Sequence, residues 1–251
     1  MSEQNKPILQ LTDISKTFNR GSVNEKVALK NLSLTVNDGD FITVIGGNGA
    51  GKSTLLNAIC GTFRVDEGKI ILGGRDVTRL SEYKRAKYLG RVFQDPMTGT
   101  SPNMEIQENL ALAYRRGKRR SLMPGIRKSE KELYREQLAR LGLGLEDRMT
   151  AKVGLLSGGQ RQSLTLLMAT LNKPELLLLD EHTAALDPKT AAKVLAFTEE
   201  IAAENNLTTI MITHNMLDAI RCGNRLIMMQ EGRVIYDVSG DEKKSLKVED
   251  L

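Results

Sequence analysis

The stretch Gly46-Gly47-Asn48-Gly49-Ala50-Gly51-Lys52-Ser53-Thr54 decides the fold. It has the spacing G-x-x-x-x-G-K-[ST] of a phosphate-binding loop. Before it, Phe41-Ile42-Thr43-Val44-Ile45 is a short apolar, β-branched run, the pattern of a buried strand. After it, Leu55, Leu56, Ala58 and Ile59 follow a helical rhythm. Strand, glycine loop and helix together suit an anionic ligand. The glycines let the backbone turn its N–H groups inward, and the helix N-terminus adds partial positive charge. Lys52 is positioned to reach the β- and γ-phosphates, and the Ser53 hydroxyl to ligate Mg²⁺.

The 251 residues suffice for one large α/β domain. Cys60 and Cys222 form no C-x-x-C pair, which suits free thiols in a reducing compartment. No apolar run approaches the roughly 20 residues of a membrane span, and the N-terminal residues 1–7 are polar, with no leader pattern. The expectation is a soluble, cytosolic chain. The net charge is +5, and basic residues gather at Arg115-Arg116-Gly117-Lys118-Arg119-Arg120. This run fits a solvated face, a nucleic-acid contact or a nearby anionic lipid surface. No aromatic interleaves with Arg116 to Arg120, which argues against a base-stacking surface.

Residues 8–18 and 27–36 read as strands, and the Asp38-Gly39 turn delivers the chain into the strand before the loop. Residues 68–72 read as a strand ending at the Gly73-Gly74 turn, 81–88 as a helix capped by Ser81, and 91–93 as a strand ending at Gln94. From 95 to about 155 the composition shifts. Two segments of helical spacing, 104–114 and 131–141, flank a basic connection punctuated by Gly and Pro. This predicts a mostly helical subdomain inserted between core strands. Ser157 opens a long helix to Leu171, residues 176–179 form a buried strand, and 188–204 a helix with Pro in its first turn. Strands are expected at 208–213, 225–229 and 233–237, and the charged tail 240–251 is expected to fray.

Two further motifs carry chemistry. Leu176-Leu177-Leu178-Leu179-Asp180-Glu181 is an apolar strand ending in paired carboxylates. After a phosphate loop, the first suits Mg²⁺ and the second suits a general base acting on water. Leu156-Ser157-Gly158-Gly159-Gln160 places small residues and a hydroxyl at a helix N-terminus, a second anion-binding arrangement. That five-residue string would arise by chance in well under roughly one chain in a thousand.

With these motifs in this order, nearly the whole chain resembles the ATP-binding-cassette family. The resemblance implies a P-loop core of parallel sheet flanked by helices, with an antiparallel N-terminal β part over residues 1–40. It implies that Phe18 stacks on adenine and that Gly46 to Thr54, including Gly47, Asn48, Gly49, Ala50 and Gly51, cradle the phosphates of ATP. Gln94 would contact Mg²⁺ and the attacking water. Asp180 would hold the metal with Ser53, and Glu181 would be the catalytic base. Ala185-Leu186-Asp187 resembles the family's D-loop, where Ser is commoner at the first position. His214 would sense the γ-phosphate. His182 departs from the family, where Pro or Ala often follows the glutamate; it could act electrostatically on Glu181 or pack. Two copies would close head to tail, each ATP lying between one loop and the other copy's Ser157, Gly158, Gly159 and Gln160.

One cassette with no membrane domain resembles a bacterial transporter's separate ATPase subunit, peripheral on the inner face of the membrane. Its partners would be an integral permease and, indirectly, a substrate-binding lipoprotein, with no nucleic acid expected. Residues 180–190 and 225–229 resemble an importer subgroup associated with aromatic amino acids such as tryptophan and tyrosine. The alternatives are an exporter or lipoprotein-releasing ATPase and, more remotely, a soluble cassette acting on DNA or ribosomes. A GTPase is opposed because Asn172-Lys173-Pro174-Glu175 ends in Glu and precedes Asp180, whereas the guanine motif Asn-Lys-x-Asp should follow it.

Overall fold

The computed structural model describes residues 7–118 and 125–251. In chain order the elements are β1 (Pro7–Phe18), β2 (Lys26–Asn37), β3 (Phe41–Ile45), α1 (Lys52–Cys60), β4 (Glu67–Leu72), β5 (Arg75–Asp76), α2 (Glu82–Arg85) and β6 (Leu89–Val92). They continue with α3 (Ile106–Tyr114), α4 (Lys128–Ala139), α5 (Gly158–Thr170), β7 (Leu176–Asp180), α6 (Pro188–Glu204) and β8 (Thr209–Ile212). The last are α7 (Met216–Arg221), β9 (Arg225–Gln230), β10 (Arg233–Ser239) and α8 (Gly240–Ser245).

An antiparallel sheet runs β2-β1-β4-β5, and a second sheet runs β10-β9-β3-β8-β7-β6. In the second sheet only the β10–β9 pair is antiparallel. Helix α1 lies between the sheets. Its Leu55, Leu56 and Ile59 share a cluster with Leu9, Ile14 and Leu29 of the first sheet and Ile42, Val44 and Leu178 of the second. The opposite face of the parallel sheet is covered by α5 and α6, through Leu166, Leu195 and Ile201 on Leu177, Leu179 and Met211. This coverage explains why Leu176 to Leu179 show no alternation: a parallel strand is buried on both faces. Helices α3 and α4 form a separate apolar cluster on α5, from Ile106, Leu110, Tyr134, Leu138, Leu164 and Leu167.

Several local expectations are corrected. The antiparallel sheet extends beyond residue 40, because the turn at Gly73-Gly74 closes a β4–β5 hairpin that joins it. Helix α2 is one turn long, and the Ser81 side chain makes no capping bond. Strand β6 ends at Val92, before Phe93. The tail does not fray: α8 buries Lys243, whose ammonium donates to the carbonyls of Cys222 and Gly223. In the basic run, Arg115 pairs with Glu130 at 3.0 Å and Arg116 donates to Ala169 O at 2.9 Å, so these two serve internal contacts and not a solvated face. Arg119 and Arg120 lie outside the described residues.

Parallel register sets up the site. Val44 pairs with Ile212, and Ile212 pairs with Asp180, so β3, β8 and β7 end in one row. The chain segments leaving them carry the phosphate loop, His214 and Glu181. Ligands bind at such carboxyl ends in open α/β sheets.

Arg85, 1% exposed, locks the far end of α1. Its guanidinium donates to Ala58 O at 2.7 Å and Ile59 O at 2.8 Å, and also to Leu80 O and Thr78 O. These bonds satisfy helix-end carbonyls with a positive charge where the dipole favours one. Arg85→Leu strips these buried carbonyls of their guanidinium donor and is expected to lower unfolding free energy by about 2–4 kcal/mol in urea denaturation.

Candidate functional site

The loop that leaves β3 has no room for side chains at two points. A Cβ on Gly46, whose φ is +147°, would stand 2.2 Å from Met229 O. One on Gly51, with φ +100°, would stand 2.6 Å from Ala28 O. Only glycine fits where the backbone presses so closely between β9 and β2. Gly51 also caps α1. Lys52, buried at the first position of α1, folds back and donates to Gly46 O at 2.6 Å and Gly47 O at 3.2 Å. The ammonium is thus stored on the loop's own carbonyls.

A cleft of about 160 Å³ opens over this loop, lined by Lys26, Ala28, Asn48 to Thr54, Glu181 and His214. Ser53 Oγ faces Asp180 Oδ1 at 3.5 Å. Burial raises the Asp180 pKa; nearby Arg91 opposes that shift, while Glu181 adds to it. Glu181 adopts a left-handed backbone, φ +48°, a strained conformation for a residue with a Cβ. Its Oε1 lies 2.5 Å from His214 Nε2. His214 is held between the end of β8 and α7, whose cap Asn215 accepts from Leu217 N and Asp218 N.

His182 points the other way. It is 2% exposed, and its Nε2 lies 3.0 Å from Thr198 Oγ1 of α6. The Thr198 hydroxyl spends its proton on Val194 O, so His182 Nε2–H is the donor. Burial lowers the ring's pKa to about 4. The ring is therefore neutral near pH 7 and packs β7 onto α6; it offers Glu181 no charge.

The remaining sequence candidates do not line the cleft. Phe18 is half-buried and meets Phe63 edge-on, ring centroids 5.2 Å apart. Gln94 is exposed in the bend after β6. Ser157 caps α5: its Oγ accepts from Gln160 N at 3.3 Å, and its N–H donates to Gln160 Oε1 at 3.1 Å. Ser157 and Gly158 are exposed. Gly159 lies so close to α6 that a Cβ would fall 2.2 Å from Thr190 Cγ2. Asp187 caps α6, accepting from Thr190 N at 3.1 Å.

Sequence reading missed Arg91, which lies 3.7 Å from Asp180 and donates to Asn57 Oδ1 of α1 at 2.7 Å. The signal was available: an arginine within the apolar strand Leu89-Gly90-Arg91-Val92 needs a buried partner.

The donor set fits a hard divalent cation. A hydroxyl and a carboxylate supply two oxygens, and Mg²⁺ takes one or two carboxylates and completes its shell with water and phosphate. Among the described residues no cluster of three or more His, Cys, Asp or Glu could hold a metal alone.

The ABC transporter family pattern matches residues 29–184. The chain belongs to the ABC transporter family. This cassette is 46% identical, over 97% of its length and 97% of the relative's, to the tyrosine transport ATP-binding protein of Clostridioides difficile. It is 35% identical over 93% of its length to the spermidine/putrescine import ATP-binding protein of Haemophilus ducreyi, spanning 58% of that longer chain. It superimposes with TM-score 0.79 and 29% identity on a dimeric post-hydrolysis ATP-binding cassette bound to ADP and Pi, covering 92% of this chain and 98% of that one. This chain is accordingly an ATP-hydrolysing transporter subunit. No helix among its described residues is long and apolar enough to cross a membrane.

Gly46→Ala should force the phosphate loop away from Met229 O. Binding of a fluorescent ATP analogue is expected to weaken by about tenfold or more, with far-UV circular dichroism unchanged.

Proposed function

We propose that this subunit powers import of an aromatic amino acid, tyrosine or tryptophan, through a separate integral membrane permease. The observation that carries the cargo is the 46% identity, end to end, with a tyrosine transport ATP-binding protein. Relatives named for spermidine/putrescine and methionine import support the inward direction. A binding lipoprotein would deliver the cargo outside, and the subunit would sit on the cytoplasmic face of the membrane. The charged helical part built on α3 and α4 would face the permease.

In this reading two copies pair head to tail. The exposed Ser157-Gly158 of one copy, with Gly159 behind them, closes over the phosphate loop of the other, with Gln160 bracing that turn. Dimeric cassettes among the structural neighbours support the pairing. Phe18 carries the adenine. The backbone of Gly46 to Thr54 cradles the phosphates, and Lys52 leaves the Gly46 and Gly47 carbonyls to pair with them. Ser53 and Asp180 would hold Mg²⁺, which would supply charge neutralisation on the phosphates, and Gln94 would contact the metal and the attacking water. Glu181 takes the water's proton as the water oxygen bonds to the γ-phosphorus and the bond from that phosphorus to the β–γ bridging oxygen breaks, its electron pair leaving with ADP. His214, 2.5 Å from Glu181, holds that carboxylate and contacts the γ-phosphate.

Glu181→Gln is expected to keep ATP binding while losing about 10²–10⁴-fold in turnover, checked by phosphate release. Near-normal hydrolysis would remove Glu181 as the base. Ser157→Arg is expected to reduce the ATP-dependent dimer fraction in light scattering; an unchanged fraction would count against the head-to-tail pairing. For the transport reading, tagged Glu181→Gln protein with ATP should retain a polytopic membrane protein and a lipoprotein from detergent-solubilised membranes. The lipoprotein should bind tyrosine or tryptophan in calorimetry. Recovery of ribosomal or DNA-processing proteins alone would overturn import.

A further inference from the structure

Arg91 has no role in the reading above, yet it touches three parts of the site. One face of its guanidinium lies 4.4 Å from the Phe93 ring centroid, next to Gln94. Its NH2 group donates to Asn57 of α1 at 2.7 Å and lies 3.7 Å from Asp180 Oδ2. Its Nε is buried with no hydrogen-bond partner, so its bonding is not saturated. The Arg91 and Asp180 side chains are only 14% and 16% exposed.

The two oxygens of Asp180 therefore face opposite demands. Oδ1 looks toward the Ser53 hydroxyl and the nucleotide cleft, and Oδ2 looks toward a guanidinium that cannot lose its charge. A largely buried carboxylate needs a positive partner. We propose that Arg91 is the built-in counter-ion of Asp180, a positioning residue that neutralises this carboxylate in the metal-free protein and competes with the divalent cation for it. Asn57 on α1 and the Phe93 ring hold the guanidinium in place behind the carboxylate. Removing the Arg91 charge leaves Asp180 uncompensated in the metal-free state and removes a repelling charge from the metal-bound one. While Asp180 stays ionised, both effects tighten the cation. The inference rests on Asp180 being the metal-holding carboxylate.

The test measures Mn²⁺ binding by electron paramagnetic resonance, on the full chain with a saturating non-hydrolysable ATP analogue. Arg91→Met is expected to bind Mn²⁺ about two- to fivefold more tightly than the parent. Arg91→Gln, uncharged but polar, should do the same, and it serves if the Met variant fails to fold. Arg91→Lys, which restores the charge, should return to the parent value. Thermal unfolding gives a second readout, since the rise in Tm on adding Mn²⁺ with the analogue should be larger in Arg91→Met than in the parent. Unchanged or weaker Mn²⁺ binding in both uncharged variants overturns the counter-ion role. Asp180→Asn separates the two levels of the argument. If it abolishes the Mn²⁺ signal while the Arg91 variants leave affinity unaltered, only the Arg91 inference falls. If it leaves the signal intact, the assignment of Asp180 falls and the inference with it.

Discussion

The site depends on a steric constraint at two glycines. The segment from Ile45 to Lys52 must pass between the Met229 carbonyl on β9 and the Ala28 carbonyl on β2, where no Cβ fits at Gly46 or Gly51. Because both walls belong to strands, the loop's shape is imposed by the sheets and does not await the ligand. Such pre-organisation avoids the ordering cost of binding. The same packing brings the first turn of α1 beside the carboxylates at the end of β7, although well over a hundred residues separate them in the chain.

Charge in this cleft is handled by storage. Lys52 rests on two carbonyls of its own loop, Glu181 on His214, and Asp180 beside Arg91. Each group is partnered before nucleotide arrives, so none is left as a bare buried charge. Binding then exchanges partners and does not create them. The left-handed backbone at Glu181 is the one place where the cleft carries conformational strain, and its neighbour His182 anchors that turn to α6 as a neutral, fully packed ring.

Much of the fold was legible because it is written in local chemistry. The glycine spacing marked the loop, and the unbroken leucines of β7 marked a strand buried on both faces. Pro188 marked the first turn of α6, whose observed ends match the expected 188–204. What failed was either very short or governed by distant contacts. β5 has two residues and exists only through pairing with β4. α7 has six residues behind an Asn cap, too few to show a period. The tail looked unattached because Lys243 reads as one more solvated charge, whereas its ammonium finds two carbonyls at the end of α7. At the site, sequence named the residues at the ends of β3, β7 and β8, which register brings into one row. The apolar strand around Arg91 signalled a buried partner for it, but not which one, because a partner across a parallel sheet has no sequence spacing. Phe18, Gln94 and Ser157 stand outside the cleft of the single chain, where a nucleotide or a second copy would have to meet them.

The docking of the last residues has a practical side. Leu246 and Leu251 pack on the cluster that contains Ile45, and Leu251 lines a cleft of about 400 Å³ whose other wall is Ile45 to Ala50. A peptide joined after Leu251 would begin its path against the underside of the phosphate loop. An affinity tag or fluorescent fusion joined there would stand beside the nucleotide loop, so a nucleotide affinity measured on the fusion would carry the tag's own crowding of that cleft.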